Sequence, residues 1–192
     1  MVQENGKENV GIVGVGRMGL AMAKHLLRHG YALTVCDINP ANVEEAEKAG
    51  ARVAANPAAV GENSSFVILG VGYDAEVNAV TLDPDGLLAT LKPGSIIAVS
   101  STVSPETVRA LGTRAAEKDV AILDAPICRG RWFADEGKLL ALFGGKDAVV
   151  ARGRAVFSTF CSDIVHLGDI GFGQVGKSMN NLLLWINSIG LI

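Results

Sequence analysis

An apolar run that becomes a helical pattern through three glycines constrains this chain more than any other feature. Val10–Val13 has the continuous apolar character of a buried strand, and from Arg17 onward apolar residues recur at helical spacing. Gly14, Gly16 and Gly19 have the spacing that allows a tight turn, the approach of a phosphate to the backbone, and close helix packing, respectively. The stretch therefore predicts a strand, a turn and a helix whose N-terminus faces a dinucleotide.

An acidic residue follows the predicted second strand, which covers residues 31–36. Asp37 lies about 20 residues beyond the glycines, where a carboxylate can accept hydrogen bonds from an adenine ribose. The alternative is that Asp37 is a turn or helix-cap residue before Asn39. Ile38 and Asn39 offer no cation for a 2′-phosphate, so we expect the cofactor to be NAD rather than NADP.

Strand and helix patterns alternate along most of the chain, as in parallel βαβ units. The predicted fold class is therefore α/β, with a doubly wound, mostly parallel Rossmann-type sheet. A helix is predicted from Pro40 to just before Gly50. The remaining predicted strands cover residues 66–69 (the third strand), 95–99, 120–123, 139–143 and 164–167.

Composition excludes several classes of function. A formal net charge of −3 and 49% hydrophobic residues are typical of a soluble globular protein and not of a nucleic-acid-binding protein. Neither a signal pattern nor an apolar run long enough to span a membrane is present, so we expect a cytoplasmic protein. The spacing of the cysteines and histidines favours neither a disulfide framework nor a metal site; these residues are Cys36, Cys128, Cys161, His25, His29 and His166.

Hydroxyl residues follow the strand predicted at residues 95–99. Ser104 and Pro105 have the pattern of a helix cap and a first helical residue. Ser101 and Thr102 either belong to this capping segment or contact cofactor or substrate at the carboxyl end of the strand.

The last segment predicts a long helix on which Lys177 and Asn181 are four residues apart and share one face. A lysine beside a carbonyl oxygen can donate a proton from its ammonium form as hydride arrives, or accept one from an alcohol in its neutral amine form as hydride leaves. The alternative is a solvated helix lysine.

Four blocks of this sequence, in order, resemble the β-hydroxyacid dehydrogenases, which include 3-hydroxyisobutyrate dehydrogenase, tartronate semialdehyde reductase and 6-phosphogluconate dehydrogenase. The blocks are the glycine turn with Met18-Gly19, Ser101-Thr102 with Pro105, Asp124-Ala125-Pro126, and Gly171-x-Gly173-x-x-x-Lys177-x-x-Asn180-Asn181. Together they span nearly the whole chain.

The resemblance implies an NAD-dependent oxidoreductase acting on a small anionic β-hydroxyacid or the matching semialdehyde. It implies that Lys177 is the catalytic acid/base and that Asn181 helps to hold the substrate. It also implies that the cofactor lies against the glycine turn and nearby loops, at Gly14, Gly16, Arg17, Met18, Gly19, Asp37, Val71 and Thr102.

The chain departs from the family pattern where the substrate carboxylate is usually bound. Cys128-Arg129-Gly130 stands where the family usually has Ser-Gly-Gly, and a thiol is a weaker hydrogen-bond donor than a hydroxyl. Arg129 either supplies a charged fork for a carboxylate, sulfonate or phosphate, or points into solvent. Ser101, Cys128, Arg129 and Gly130 are the candidate substrate residues. Val71-Gly72 replaces a common Leu-Pro.

We expect residues 1–168 to form the dinucleotide-binding domain and residues 169–192 to begin a helix leading to an all-α domain. Because the helix has no stop signal, the chain is expected to be a fragment. Its apolar stripe, which starts at Leu182, is expected to mediate homo-oligomerisation.

Two other functions are compatible with the fold. One is a dinucleotide-binding module without chemistry, since fold alone does not establish a reaction. The other is a related reductase with a different substrate, such as an imine reductase, although such enzymes usually lack the lysine. Lys177 and Asn181 on one face favour the dehydrogenase.

Overall fold

The structure is a computed structural model that describes residues 6–191; residues 1–5 of the expected first domain and Ile192 of the expected helix lie outside the described residues. The strands are β1 (Val10–Val13), β2 (Leu33–Cys36), β3 (Arg52–Val53), β4 (Phe66–Leu69), β5 (Ile96–Val99), β6 (Ala121–Asp124), β7 (Ile127–Cys128), β8 (Leu139–Phe143) and β9 (Cys161–His166). The α-helices are α1 (Arg17–Arg28), α2 (Pro40–Lys48), α3 (Pro57–Glu62), α4 (Asp74–Leu82), α5 (Pro105–Ala116), α6 (Gly130–Asp135), α7 (Asp147–Phe157) and α8 (Phe172–Gly190).

Six strands form one parallel sheet in the order β3-β2-β1-β4-β5-β6. This is the strand order of the dinucleotide-binding Rossmann fold, in which ligands bind beyond the carboxyl ends of the strands where the order reverses. The reversal lies between β1 and β4. The predicted fold class is confirmed.

Helices bury both faces of this sheet, which explains why its central strands are continuous apolar runs. On one face α1 and α7 pack over the sheet, and the largest side chains there include Met22 and Phe157. On the other face α3, α4 and α5 contribute Val60, Val77 and Leu111.

The sequence prediction missed one strand and two α-helices between β2 and β5. Arg52–Val53 is an edge strand, so Phe66–Leu69 is the fourth strand and not the third. The helices α3 and α4 were also not predicted. The edge strand is only two residues long and exposed, so it lacks the apolar run that identified the other strands.

A second sheet of three strands, in the order β7-β8-β9, extends beyond β6. The β7–β8 pair is antiparallel and the β8–β9 pair is parallel. An isolated antiparallel bridge between Asp124 and Gly144 connects this sheet to the end of β6. The second sheet therefore places Ile127 and Cys128 beside the carboxyl edge of the main sheet.

Within residues 6–191, no helix combines the length and the apolar character needed to cross a membrane.

The glycine turn has the geometry that its spacing predicted. Gly14 has φ +91°, a left-handed conformation that favours glycine, and a Cβ there would lie 2.8 Å from the carbonyl carbon of Gly70. A Cβ on Gly19 would overlap the carbonyl oxygen of Gly14, whereas one on Gly16 would meet only the side chain of Asn42 at 3.9 Å. Gly19 thus sets the distance between α1 and the turn.

We expect Gly19→Ala to destabilise the fold and Gly16→Ala to leave its stability nearly unchanged. The extra methyl group at position 19 must push α1 away from the turn, at a cost of about 1–3 kcal/mol. Urea unfolding of wild type and both variants gives the three free energies of unfolding to be compared. Equal unfolding midpoints for Gly19→Ala and wild type would contradict the packing role of Gly19.

Candidate active site

A cavity of about 350 Å³ lies at the carboxyl edge of the main sheet. Loops after β1, β4 and β5 meet there because parallel strands end at the same edge. The second sheet and α8 close its other side. The residues that line it are Met18, Met22, Gly70, Val71, Gly72, Ser100, Ser101, Thr102, Ile127, Gly130 and Lys177.

A larger cleft of about 690 Å³ lies elsewhere, between α5, β6 and α7. Its lining includes Arg109, Ile122 and Arg152, and it contains none of the side chains that the sequence analysis selected. The smaller cavity is the candidate site because the predicted cofactor and substrate residues converge there.

The first turn of α1 has the features of a phosphate site. Gly16 is the N-cap residue, no side chain accepts a hydrogen bond from the cap, and no acidic residue lies in the first turn. The first N–H groups of a helix have no partner within it and carry the positive end of the dipole. These groups therefore remain available to a pyrophosphate.

The carboxylate of Asp37 ties the end of β2 to the glycine turn. One oxygen accepts a hydrogen bond from the backbone N–H of Val15 at 2.8 Å, and the other accepts from the N–H of Asn39 at 2.8 Å. Asp37 is thus a turn residue. A carboxylate oxygen accepts more than one hydrogen bond, so a ribose hydroxyl can share it.

Two serines at the end of β5 have different roles. The Ser101 hydroxyl donates to the carbonyl oxygen of Val71 at 2.7 Å, which joins the loops after β4 and β5. Ser100 also lines the cavity, and its buried hydroxyl has no hydrogen-bond partner among the described residues. Ser104 caps α5 by accepting from the Thr107 N–H at 3.1 Å, as predicted.

A buried carboxylate anchors α8. The Oδ2 atom of Asp124, which is 0% exposed, accepts hydrogen bonds from the backbone N–H groups of Gly171 at 3.0 Å and Gln174 at 3.1 Å. Burial raises the pKa of this carboxyl to about 6, although the hydrogen bonds from the helix oppose the shift. Asp124 therefore acts as a remote N-cap for the helix that carries Lys177.

The ammonium of Lys177 is held at the cavity wall. Its Nζ donates to the carbonyl oxygen of Ile127 at 2.7 Å and lies 3.7 Å from the Sγ of Cys128. An ammonium has three donors, so at least one remains for a ligand oxygen. The geometry corresponds to a lysine facing the site and not to one extended into solvent.

Arg129 does not enter the cavity. Its guanidinium forms an ion pair with Asp163 at 2.7 Å and donates to the Ser162 hydroxyl at 2.8 Å and to the Lys138 carbonyl oxygen at 3.0 Å. Arg129 is exposed at the surface, as in the solvent alternative, and its guanidinium is paired with Asp163 of β9. Its backbone has φ +83°, a conformation that favours glycine.

Three further predicted residues, Asn181, Cys128 and Arg17, do not line the cavity. Asn181 is one turn beyond Lys177, half-buried, and its Oδ1 atom is 3.4 Å from the Nδ2 atom of Asn180. Cys128 is buried beside Lys177, and Arg17 is exposed at the start of α1.

Five cavity residues were not selected from the sequence: Met22, Gly70, Gly72, Ser100 and Ile127. Met22 lies one helical turn beyond Met18, so the helical spacing of α1 could have indicated it. Ile127 contributes a backbone carbonyl group, which no side-chain pattern reveals.

Comparison with known proteins identifies the family. The family model for the NAD binding domain of 6-phosphogluconate dehydrogenase matches residues 9–168. The mitochondrial 3-hydroxyisobutyrate dehydrogenase of Mus musculus is 34% identical over 184 residues, which cover 96% of this chain and 55% of that protein. The chain belongs to the β-hydroxyacid dehydrogenase family.

Two further relatives support this assignment to the β-hydroxyacid dehydrogenases. The NAD-dependent L-serine dehydrogenase of Pseudomonas aeruginosa is 34% identical, covering 95% of this chain and 61% of that protein. The structure of Mycobacterium tuberculosis 3-hydroxyisobutyrate dehydrogenase with L-serine has a TM-score of 0.90 and 26% identity, covering 94% of this chain and 61% of that one. The chain thus spans little more than half the length of its relatives.

The residues of this β-hydroxyacid dehydrogenase domain fit an NAD molecule. The uncapped α1 N-terminus suits the pyrophosphate, and Asp37 suits the ribose. The match to an NAD-binding family confirms the predicted cofactor. The preference for NAD over NADP stays a prediction.

We expect wild type to bind NADH more tightly than NADPH, because the Asp37 carboxylate repels a 2′-phosphate. Asp37→Ser removes that charge and should therefore reduce the difference between the dissociation constants of NADH and NADPH. Titration of intrinsic fluorescence with each cofactor at one salt concentration gives the four dissociation constants. Tighter NADPH binding by wild type would contradict the role of Asp37.

Asp124 should make the stability of the fold depend on pH between about 4 and 6. Its pKa is raised from 3.8 to about 6, so the folded state binds the proton more tightly than the unfolded state. The resulting stabilisation is present below about pH 4 and is lost as the pH rises through about 6, with a magnitude of up to about 3 kcal/mol.

The measurement compares wild type with Asp124→Asn in urea at pH 4, 5, 6 and 7. The free energy of unfolding of wild type relative to this variant should rise as the pH falls. Asp74→Asn is the control, because hydrogen bonds from Thr107 and Ser104 lower the pKa of Asp74 from 3.8. The contribution of Asp74 is lost only as the pH falls through this lowered pKa, so its difference from wild type should change little between pH 4 and 7. A pH-independent difference for Asp124→Asn would refute the assignment.

Proposed function

We propose that this chain is the cofactor-binding part of an NAD-dependent dehydrogenase that interconverts a small β-hydroxyacid and its semialdehyde. The observation that carries the proposal is the position of Lys177, whose ammonium shares one cavity with the Thr102 loop. A module that only binds a dinucleotide has no need for a lysine there.

Lys177 is proposed to exchange a proton with the substrate oxygen. NAD, when bound, supplies the hydride acceptor. The Ile127 carbonyl oxygen fixes the side-chain nitrogen by one hydrogen bond. In the ammonium form another N–H is available to protonate the substrate oxygen during reduction, and in the neutral form the lone pair would accept its proton during oxidation. Because the side-chain nitrogen is already held in place, less conformational entropy is lost when the transition state forms.

The proposed substrates carry a carboxylate and, on the β-carbon, a hydroxyl group. The names of the mouse and Pseudomonas relatives specify 3-hydroxyisobutyrate and L-serine, which share this arrangement. Ser101 and Gly130 line the cavity and Cys128 contacts Lys177, so these three residues are proposed to lie near the substrate. Asn181 is proposed to hold the substrate from the next turn of α8.

We leave Arg129 out of the proposed substrate site because Asp163 and Ser162 already bind its guanidinium. The left-handed backbone at Arg129 and Gly130, with φ +83° and +72°, resembles that of a glycine pair. Both φ values lie in the left-handed region, which glycine adopts without strain. The N–H groups of this loop are the proposed donors to the substrate carboxylate.

The apolar face of α8 is proposed to be buried in the intact protein. Its exposed side chains include Trp185 at 65% and Ile189 at 69%. We propose that residues 169–191 begin the helix that leads to an all-α domain and that the face also contributes to a homo-oligomer. The cytoplasm stays the proposed location.

Lys177→Met is expected to abolish turnover and to leave NADH affinity nearly unchanged. The ammonium acts on the substrate oxygen, and a general acid/base typically contributes about 10²–10⁴-fold. Steady-state assays of the intact protein with a panel of small hydroxyacids, following NADH absorbance, measure turnover. NADH titration measures affinity.

Lys48→Met is the control, because Lys48 is an exposed lysine paired only with Glu44 on α2. It should keep full activity. A Lys177→Met variant with most of the wild-type kcat would remove Lys177 from the mechanism.

Self-association should depend on the apolar face of α8. Replacing Trp185 and Ile189 together by Ser removes apolar area from that face and should shift the sedimentation coefficient toward that of a monomer. An unchanged sedimentation coefficient, or a monomeric wild type, would contradict the proposed oligomer.

A further inference from the structure

A buried side-chain amide connects α8 to the loop after β5. Gln174 is 0% exposed, and its Oε1 atom accepts a hydrogen bond from the backbone N–H of Val103 at 3.2 Å. Its Nε2 atom donates to the backbone carbonyl oxygen of Ser101 at 3.0 Å. One amide therefore satisfies the two backbone groups on either side of Thr102.

This pairing fixes both the amide and the loop. A flipped amide would place its NH₂ group against the N–H of Val103 and its oxygen against the carbonyl of Ser101, so only one orientation is favourable. Thr102 itself is exposed and lines the cavity. The amide holds the backbone of the loop from the buried side while Thr102 faces the ligand side.

The same helix carries Lys177 three residues after Gln174. Three residues of α-helix span about 4.5 Å, so the amide and the ammonium belong to one rigid segment. The Asp124 carboxylate attaches the start of that segment to β6 through the N–H groups of Gly171 and Gln174. The loop is coupled further, since the Ser101 hydroxyl binds the carbonyl oxygen of Val71.

We propose that Gln174 is a positioning residue, which fixes the Thr102 and Val71 loops relative to the ammonium of Lys177. The inference rests on the proposed function, in which these loops hold the cofactor and Lys177 exchanges the proton. Loss of the amide leaves the Val103 N–H and the Ser101 carbonyl buried without a partner. The loop must then move to satisfy them, and both cofactor affinity and turnover fall.

Gln174→Met and Gln174→Glu test the proposal in the intact protein. Met has a similar length and no hydrogen-bonding groups. An ionised Glu accepts from Val103 but cannot donate to Ser101, whereas a protonated Glu can do both. We expect Gln174→Met to raise the dissociation constant of NADH at least tenfold and to lower kcat at least tenfold, at a temperature where circular dichroism shows it folded.

Rescue by pH separates positioning from simple destabilisation. The activity of Gln174→Glu relative to wild type should rise as the pH is lowered and its carboxyl becomes protonated. The neighbouring titratable group is Asp124, which is present in both proteins and therefore enters both activities. Thr81→Val is the matched control, since Thr81 is also 0% exposed and donates one hydrogen bond, to the Val77 carbonyl within α4. It should lose stability but keep NADH affinity and kcat within about twofold of wild type.

Gln174 variants that lose stability but keep wild-type NADH affinity and kcat would overturn the positioning role, as would a Gln174→Glu activity ratio that does not change with pH. If Gln174→Met does not fold, the pH dependence of the activity of Gln174→Glu relative to wild type tests the positioning role instead. If Lys177→Met were fully active while the Gln174 variants bound NADH weakly, the proposed role of Lys177 in proton transfer would be wrong. Gln174 would then position only the cofactor loop. A wild type that does not bind NADH would overturn both proposals.

Discussion

The organisation of the site depends on the contact between the end of β6 and the start of α8. Asp124 is fully buried there and accepts two backbone N–H groups of the helix. The close fit leaves no space for a side chain at Gly173, where a Cβ would lie 2.8 Å from the Asp124 carboxyl carbon. This contact fixes the first turn of α8, and Lys177 lies less than two helical turns further along. The contact therefore also determines where Lys177 meets Ile127. A carboxylate desolvated to this extent costs stability, as its raised pKa shows, and the helix dipole offsets part of that cost.

The sheet supplies the other half of the arrangement. β1, β4 and β5 are parallel and in register, so their loops reach one edge, where the glycine turn, Val71 and Thr102 come together. Side chains then connect these loops to one another, with Asp37 binding the glycine turn and Ser101 binding the loop of Val71. The proposed cofactor site is thus a set of loops joined by part-buried polar contacts at one edge of the parallel sheet.

The parts of the fold that follow from local patterns could be predicted from the sequence. The glycine turn, the Pro40 helix and the Ser104 cap each have a signal within a few residues. In contrast, β3 and β7 are two residues long, and α4 has no side-chain cap, so none of them has a strong local signal. The environment of Arg129 could not be predicted, because Asp163 is distant in sequence and reaches it only through the pairing of β8 with β9. Lys177 could be selected from its motif, but its contacts with Ile127 and Cys128 depend on the second sheet.

We propose that one cavity holds both the nicotinamide end of the cofactor and the ammonium of Lys177. A crystal structure of the chain with NADH shows whether the two meet there. We expect the pyrophosphate at the N-terminus of α1 and the nicotinamide ring between Thr102 and Lys177. A cofactor bound in the cleft between α5 and α7, or a nicotinamide ring on the far side of Thr102 from the lysine, would contradict it.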